Sequence, residues 1–215
     1  MNTIVLLIII ANVLVSMKGF SDEFFFNKYK FQVAAIKAGE KLRMVTSAFL
    51  HADWIHLGFN MYALYLFGRI VTGSFGNVYF LLIYVGSLLV GSLYSFSQHK
   101  NEPYYSAVGA SGAVSGIVFS AIMLYPEMEL IMFPLPIPLP GYVFGIGYLL
   151  YSIYGMKNQT GNIGHSAHIG GAIGGYILTL FLKPSVLTIN PYLMIAMGII
   201  IWGLLFFGDK FQFKK

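Results

Sequence analysis

Two short motifs place polar side chains at the start of apolar segments of this chain. One is Gly-Ala-Ser-Gly at 109–112, which contains Ser111, and the other is Ala-His-Ile-Gly-Gly at 167–171, which contains His168. Polar residues inside a membrane are energetically costly and usually functional. Since a serine and a histidine together can act as nucleophile and general base, the motifs predict covalent catalysis by Ser111 with His168 as its base.

A second polar pair, His56 and Asn60, opens another apolar segment, and the four-residue spacing puts both on one helix face. When a serine attacks a carbonyl, the oxyanion that forms needs hydrogen-bond donors already in place. These two side chains and the backbone amide of Ser111 can supply them. Each residue also has a structural interpretation. The pair can form a clasp between helices, Ser111 can bond back to its own helix, and His168 can be a proton relay or a packed polar group.

The composition indicates that this chain is embedded in a lipid bilayer. Of its 215 residues, 57% are hydrophobic and only 10% are charged, far from the balance of a water-soluble domain. The net charge of +5 comes from scattered residues, which favours contact with anionic lipids over nucleic acid. The absence of cysteine excludes disulfides and thiolate zinc sites. We therefore expect an integral membrane protein that binds no nucleic acid.

Seven apolar segments approach the roughly 20 residues that a membrane-spanning helix needs. We place them near 3–19, 54–72, 78–97, 109–125, 141–156, 166–182 and 190–207. The first lacks the basic start and small-residue cleavage site of a signal peptide, which favours a retained helix. Since the sequence shows no duplicated halves and no low-complexity tail, we expect residues 1–215 to form a single domain.

The connections between these segments are unequal. Residues 20–53 form a long loop in which aromatic residues interleave with lysines: Phe24, Phe25, Phe26, Tyr29 and Phe31 with Lys28 and Lys30. Such a mixture suits the lipid headgroup layer, and the alternative is a folded surface loop with its own small core. The stretch 133–140 has alternate prolines, so it cannot be helical and separates the fourth segment from the fifth.

In a serpentine bundle the second, fourth and sixth helices run in the same direction and begin at the same membrane face. These three beginnings carry His56 with Asn60, Ser111, and His168. Glycine pairs spaced four apart let membrane helices approach closely: Gly112 and Gly116 on the fourth segment, Gly170 and Gly174, and Gly171 and Gly175 on the sixth. We expect Asp53, the nearest carboxylate, to cap the second helix, which leaves a Ser–His dyad and no triad.

Taken together, the motifs resemble those of the rhomboid intramembrane serine proteases. The likeness rests on Gly-Ala-Ser-Gly, Ala-His-Ile-Gly-Gly and His56-Leu-Gly-Phe-Asn60 in the family's order, and it covers residues 41–182. It implies an all-α rhomboid-like bundle of six core transmembrane helices, to which 190–207 adds a seventh.

The resemblance also implies site roles and a reaction. Ser111 would be the nucleophile and His168 the base, with His56 and Asn60 as oxyanion-hole side chains. Such enzymes cleave single-pass membrane proteins in or near their transmembrane segments and use no metal or cofactor. The long first loop would lie partly in the lipid, and the fifth helix, 141–156, would gate substrate entry.

Two departures from the family pattern concern the base. Many bacterial members carry an aromatic ring four residues after the nucleophile, packed against the catalytic histidine, but this chain has Ser115 there. Another element must then orient His168. A rival base, His165, lies three residues before it, although the following Ile-Gly-Gly matches the family at His168.

The family resemblance and the distribution of positive charge predict opposite orientations in the membrane. The family usually opens its site to the extracytoplasmic side, which would leave only Arg69 and Lys183 of the 13 lysines and arginines in the cytoplasm. The positive-inside rule favours the reverse. We expect the family orientation, in a bacterial inner membrane, because an embedded loop can hold its lysines against lipid headgroups.

Two other functions compete with proteolysis. One is an inactive rhomboid-like protein that binds and escorts membrane helices, although such proteins commonly lack the serine or histidine. The other is a transporter, which often shows internal repeats that this sequence lacks. For a protease, the glycine-rich surroundings of the site predict small side chains such as Ala at the cleaved bond and a locally unwound substrate helix. The physiological substrate and the oligomeric state cannot be deduced from the sequence.

Overall fold

The structure, a computed structural model, describes residues 2–131, 137–158 and 164–207. Its α-helices are α1 Thr3–Ser21, α2 Glu23–Tyr29, α3 Val33–Lys37, α4 Arg43–Thr46, α5 Trp54–His99, α6 Ser111–Leu124, α7 Gly141–Asn158, α8 His165–Leu182 and α9 Pro191–Phe207. Short 3-10 helices cover Ser47–Phe49 and Pro184–Thr188. Two antiparallel pairs join β1 Phe31–Gln32 to β2 Ser106–Ala107 and β3 Glu129–Ile131 to β4 Pro138–Pro140. The all-α fold class predicted from the sequence is confirmed.

Five of the seven predicted apolar segments lie wholly within helices, two of them in α5, and the other two, 109–125 and 190–207, extend one or two residues beyond α6 and α9. The backbone of α5 reverses at Gly76, whose φ of +76° suits glycine. Its two arms, 54–75 and 77–99, therefore form a hairpin, since a Cβ on Gly68 would lie 3.5 Å from the Phe80 ring. By length and composition α1 and α5 can cross a membrane, and α6 and α9 are shorter apolar helices.

The centre of the molecule is built from α5, α6 and α8, whose backbones touch through glycine. A Cβ on Gly171 would collide with the Gly112 carbonyl, and one on Gly175 would collide with Gly116. The second glycine stripe of α8 packs instead on the second arm of α5, where a Cβ on Gly170 would lie 2.8 Å from the Cα of Gly91. The predicted glycine stripes therefore do bring these helices into close contact.

Every residue of α6 after Ser111 is buried, so α6 is the central helix of the bundle. Against this core pack α1, which contacts α5, and α7, which contacts both α6 and α8. Tyr176 on α8 donates a hydrogen bond to the Met194 carbonyl at 2.8 Å, which joins α9 to the bundle. The nucleophile candidate is thus held on the most enclosed helix of the bundle.

The segment 20–53 is more regular than the long loop predicted from the sequence. It contains α2, α3 and α4, and Asp22 starts α2 by accepting a hydrogen bond from Phe25 N at 2.9 Å. A small core of Phe31, Val33 and Ile36 lies beneath it, which favours a folded segment with its own core. In the proline-rich stretch, Pro138–Pro140 forms a short strand and is therefore not helical, as predicted, whereas 133–136 lie outside the described residues.

Candidate active site

Ser111 is the first residue of α6, and Gly109 shapes the backbone before it. Gly109 has a φ of +127°, which favours glycine, and its N–H donates to the Ser47 carbonyl at 3.0 Å. A Cβ on Gly109 would lie 2.7 Å from Cε1 of His56 and 3.6 Å from Oγ of Ser111. The His56 imidazole and the Ser111 hydroxyl therefore lie against the same side of this turn.

The start of α5 holds the two predicted oxyanion-hole side chains. Asp53 caps this helix, as predicted, because its Oδ1 accepts a hydrogen bond from His56 N at 2.7 Å. One turn later, the buried Asn60 donates through Nδ2 to the His56 carbonyl at 3.0 Å. An amide group has two N–H donors, so Asn60 can still offer the second one.

His51 is a site residue that the sequence reasoning missed. Its side chain is fully buried, and its Nδ1 lies 2.8 Å from the Ser16 hydroxyl. That hydroxyl donates its hydrogen to the Phe49 carbonyl at 3.0 Å, so it accepts the N–H of His51 Nδ1. The unprotonated Nε2 then accepts from Ala110 N at 3.4 Å. His51 thereby supports the turn that precedes Ser111.

Two forces keep His51 neutral. Burial is the main cause and the neighbouring His56 the second, and together they lower the pKa of His51 to about 3. The rings of these two histidines meet edge to face, with centroids 5.0 Å apart. The only sequence pattern that could have pointed to His51 is its position five residues before His56. Residues five apart do not lie on the same face of a helix, so this spacing predicts no contact. Only the fold of the preceding turn brings the two rings together.

His168 lies in the first turn of α8, and an aromatic ring from α7 covers it. The Tyr148 ring stacks on the imidazole with centroids 5.7 Å apart and an interplanar angle of 20°. Its hydroxyl is 2.7 Å from the Ser115 hydroxyl on α6. The ring that the family pattern led us to seek at position 115 is therefore supplied by another helix.

The rival base, His165, packs against α7. A Cβ on Gly155 would overlap the His165 imidazole, and the Tyr151 ring meets that imidazole edge to face at 5.4 Å. The His165 ring also contacts His168, with centroids 6.2 Å apart. The two histidines of α8 are thus separate groups, each held by its own tyrosine of α7.

The first turns of α6 and α8 lie side by side. A Cβ on Gly112 would be 3.3 Å from the Ala167 carbonyl, so the residue after Ser111 touches the residue before His168. Among the described residues, no hydrogen bond joins the Ser111 hydroxyl to His168. Such bonds are often long in unbound enzymes and tighten when substrate binds.

A small cavity of about 40 Å³ lies beside the nucleophile candidate. Its lining includes Ser111, Gly109 and Gly112 around the nucleophile candidate, together with Ser47, Ser92, Ser95 and Ala167. A cavity needs only about 10–15 Å³ and a few polar partners to hold a water molecule. The site therefore has room for water next to the Ser111 side chain.

Comparison with known proteins identifies the family. Residues 38–185 match the family model described as "Rhomboid domain", and this range contains all four predicted site residues. The chain belongs to the rhomboid family. This assignment confirms the resemblance seen in the motifs and the integral membrane character of the fold.

Several curated rhomboid proteins are similar to the chain. RHOMBOID-like protein 12, mitochondrial, of Arabidopsis thaliana is 31% identical over 79% of this chain and 55% of its own length. Rhomboid protein 1, mitochondrial, of Saccharomyces cerevisiae is 29% identical over 68% of this chain and 43% of its own length. Rhomboid protease GluP of Bacillus subtilis is 36% identical over 66% of this chain and 26% of its own length.

The chain therefore spans about half or less of the length of these relatives. Two of the three are mitochondrial and one is bacterial. The bacterial inner membrane predicted from the sequence is consequently not supported over a mitochondrial membrane.

Proposed function

We propose that this rhomboid is an intramembrane serine endopeptidase in which Ser111 is the nucleophile and His168 the base. The observation that carries the proposal is the contact of Gly112 with Ala167, which sets the serine and the histidine on adjoining helix turns. Relatives named as rhomboid proteases support the reaction class. The hydrogen bond between Ser111 and His168 would form when a substrate fills the site.

In the proposed reaction, His168 takes the proton of the Ser111 hydroxyl while Oγ bonds to the carbonyl carbon of the scissile peptide. The negative charge passes to the carbonyl oxygen, which faces the Ser111 amide, His56 and Asn60. His168 then gives its proton to the leaving nitrogen as the C–N bond breaks, and an acyl-enzyme remains. A water molecule attacks this ester, its proton passes through His168 to Ser111, and the carboxylic product leaves.

The donors at the start of α6 and α5 suit the charge that develops. Amide groups in the first turn of a helix have no partner within the helix, and the positive end of the helix dipole lies there. Removing one oxyanion donor typically costs about 3 kcal/mol of transition-state stabilisation. We therefore expect His56→Ala or Asn60→Ala to lower kcat roughly a hundredfold with little change in KM.

The substrate proposed for this site is a transmembrane helix with small residues at the cleaved bond. The glycine-lined contact of α6 and α8 leaves little space beside Ser111, and a helical carbonyl must lose its hydrogen bond to become accessible. Replacing the scissile Ala of a cleaved substrate by Phe should abolish cleavage. Unchanged cleavage would contradict the proposed preference.

The decisive experiment is cleavage of a single-pass membrane substrate by the purified protein in liposomes. Wild type should be compared with Ser111→Ala, His168→Ala and His165→Ala. Product from wild type and His165→Ala alone supports the dyad, whereas product from Ser111→Ala excludes the serine mechanism. Loss of product in His165→Ala with retention in His168→Ala would transfer the role of base to His165.

A second candidate is an inactive rhomboid that binds membrane helices and escorts them. The observation in its favour is that the Ser111 hydroxyl and His168 are not hydrogen-bonded in the described part of the chain. Retained binding of transmembrane helices by a wild-type protein that cleaves none of them would favour this function.

A further inference from the structure

The Tyr148 side chain links the helices that carry the two proposed catalytic residues. It lies on α7, stacks on His168 of α8 at 5.7 Å, and its hydroxyl is 2.7 Å from the hydroxyl of Ser115 on α6. Ser115 is four residues, or one helical turn, after Ser111. One side chain of α7 therefore fixes a distance between the helix of the nucleophile and the ring of the base.

The Tyr148 ring is itself held in place. Two phenylalanine rings contact it, that of Phe144 with centroids 5.9 Å apart and that of Phe119 with centroids 6.0 Å apart. Phe119 is fully buried and lies one turn beyond Ser115 on α6. A ring that is enclosed by two others and hydrogen-bonded at its hydroxyl has little freedom to tilt. It is therefore a rigid surface for the imidazole that lies on it.

His168 needs such a surface. A general base must be held by a third group if it is to meet its nucleophile in a productive orientation. Among the described residues, no carboxylate or carbonyl is hydrogen-bonded to the His168 imidazole, whose ring contacts are Tyr148 and His165. Of these two, the ring of Tyr148 is nearly parallel to the imidazole, at 20°, whereas the ring of His165 is edge on.

We propose that Tyr148 is the positioning residue for His168 and that Ser115 is its anchor. This inference rests on the proposed serine-protease function. Ser115 does two things for the arrangement: its small size leaves room on α6 for a ring from α7, and its hydroxyl bonds to the hydroxyl of that ring. The two residues form a matched pair, so a ring placed at position 115 and removed from position 148 should restore the function.

The test compares kcat, KM and the pH profile of kcat/KM for five proteins: wild type, Tyr148→Ala, Tyr148→Phe, Tyr151→Ala, and Tyr148→Ala combined with Ser115→Tyr. Tyr151→Ala is the matched control, since it removes a tyrosine of the same helix that packs on His165. We expect Tyr148→Ala to lower kcat by roughly tenfold to a hundredfold, part of the 10²–10⁴ that a general base contributes. The acidic limb of its pH profile should also shift.

The other variants separate the ring from the hydroxyl. Tyr148→Phe keeps the stacked ring and should retain most of kcat, and the double variant should recover part of what Tyr148→Ala loses. Equal kcat and pH profiles in Tyr148→Ala and Tyr151→Ala would overturn the proposal. The proposal would also be overturned if kcat fell as far in Tyr148→Phe as in Tyr148→Ala and the unfolding temperature fell in both variants.

A spectroscopic measurement gives a second readout. With histidine labelled by nitrogen-15 and carbon-13, the His168 imidazole signals can be assigned by their absence in His168→Ala. The stacked ring should displace these signals, and the displacement should vanish in Tyr148→Ala and persist in Tyr148→Phe. If wild type cleaves no substrate, the proposed function itself fails. If wild type cleaves and Tyr148→Ala cleaves equally well after losing the ring-current displacement, only the positioning role fails.

Discussion

Nε2 of His51 accepts a hydrogen bond from the backbone N–H of Ala110, the residue before Ser111, at 3.4 Å. The other nitrogen of the same ring is held by Ser16 on α1. His51 thus links the first helix of the chain to the turn that presents the nucleophile. Because the Ser16 hydrogen is already donated to a carbonyl, this link requires the neutral imidazole with its proton on Nδ1.

Acidification should break this link. Burial lowers the pKa of His51 to about 3 in the folded protein, whereas an unfolded chain has a histidine pKa of about 6.5. The unfolded state binds the proton first, so the contribution of His51 to stability is complete above about pH 6.5 and falls steadily toward about pH 3. We expect the unfolding temperature in detergent to fall over this range, and to fall less steeply in His51→Gln.

The matched control for that experiment is His99→Gln, since His99 lies at the end of α5 beside Glu102 and is only partly enclosed. The difference in unfolding temperature between wild type and each variant, plotted against pH, isolates the contribution of one histidine, because the carboxylates that titrate in the same range are present in both proteins. Equal slopes for wild type and His51→Gln would show that His51 does not couple folding to pH.

The contact of α6 with α8 should be intolerant of a single methyl group. A Cβ on Gly171 would collide with the Gly112 carbonyl, and backbone cannot yield as a side chain can. We expect Gly171→Ala to destabilise the protein by about 1–3 kcal/mol and to abolish cleavage, because it separates the serine from the histidine. Thermal unfolding and the liposome cleavage assay measure the two effects.

Gly147→Ala is the control for this substitution. Gly147 lies within α7, and a Cβ there would meet no atom within 4 Å. Alanine has the higher helix propensity, by about 1 kcal/mol, so this variant should be as stable as wild type or more stable. A Gly171→Ala protein that behaves like Gly147→Ala would mean that the two helices can separate without loss of function.

The sequence predicted the parts of the site that depend on local pattern. Apolar length located the long helices of the bundle, and the order of those helices placed the beginnings that carry His56, Ser111 and His168 at one face. The glycine spacing predicted the contacts of Gly171 and Gly175 with α6. These features follow from residues that are close in sequence or from the direction in which each helix runs.

The sequence could not predict contacts that depend on how one helix is rotated against another. Tyr148 is one of 15 tyrosines, and nothing in its neighbours distinguishes it from Tyr151 until α7 is docked. His51 likewise gains its role from Ser16, which is 35 residues away. The helices within 20–53 were missed because their aromatic residues also suit a lipid interface, so that composition alone fits both structures.

The proposed role of α7 as a gate can be tested with a cross-link, because the chain has no cysteine of its own. A Cβ on Gly145 would lie 3.2 Å from Cδ1 and 3.6 Å from Cγ2 of Ile122 on α6, so these two positions face each other and Gly145→Cys with Ile122→Cys is the pair to join by oxidation. Oxidation should stop cleavage of transmembrane substrates, and reduction should restore it. Labelling of Ser111 by a small fluorophosphonate should continue in both states, since the bond restricts entry and leaves the Ser–His pair intact.

Each single-cysteine variant is the control for that experiment and should be insensitive to oxidation. Cleavage that continues at the wild-type rate in the cross-linked protein would show that substrate reaches Ser111 without movement of α7 away from α6. Loss of both cleavage and fluorophosphonate labelling would indicate that the cross-link distorts the site.

The hairpin of α5 determines which charged residues lie at the same membrane face as Ser111. Since the chain reverses at Gly76, Lys100 lies at the face where α5 begins, with Ser111, and Lys183 after α8 lies at the opposite face. If the family orientation holds, a cysteine at Lys100 in a bacterial host should react with a membrane-impermeant maleimide added outside. A cysteine at Lys183 should react only after the membrane is opened. The reverse pattern would mean that the positive-inside rule prevails and that the site faces the cytoplasm, where the lysines of 20–53 need no contact with lipid headgroups.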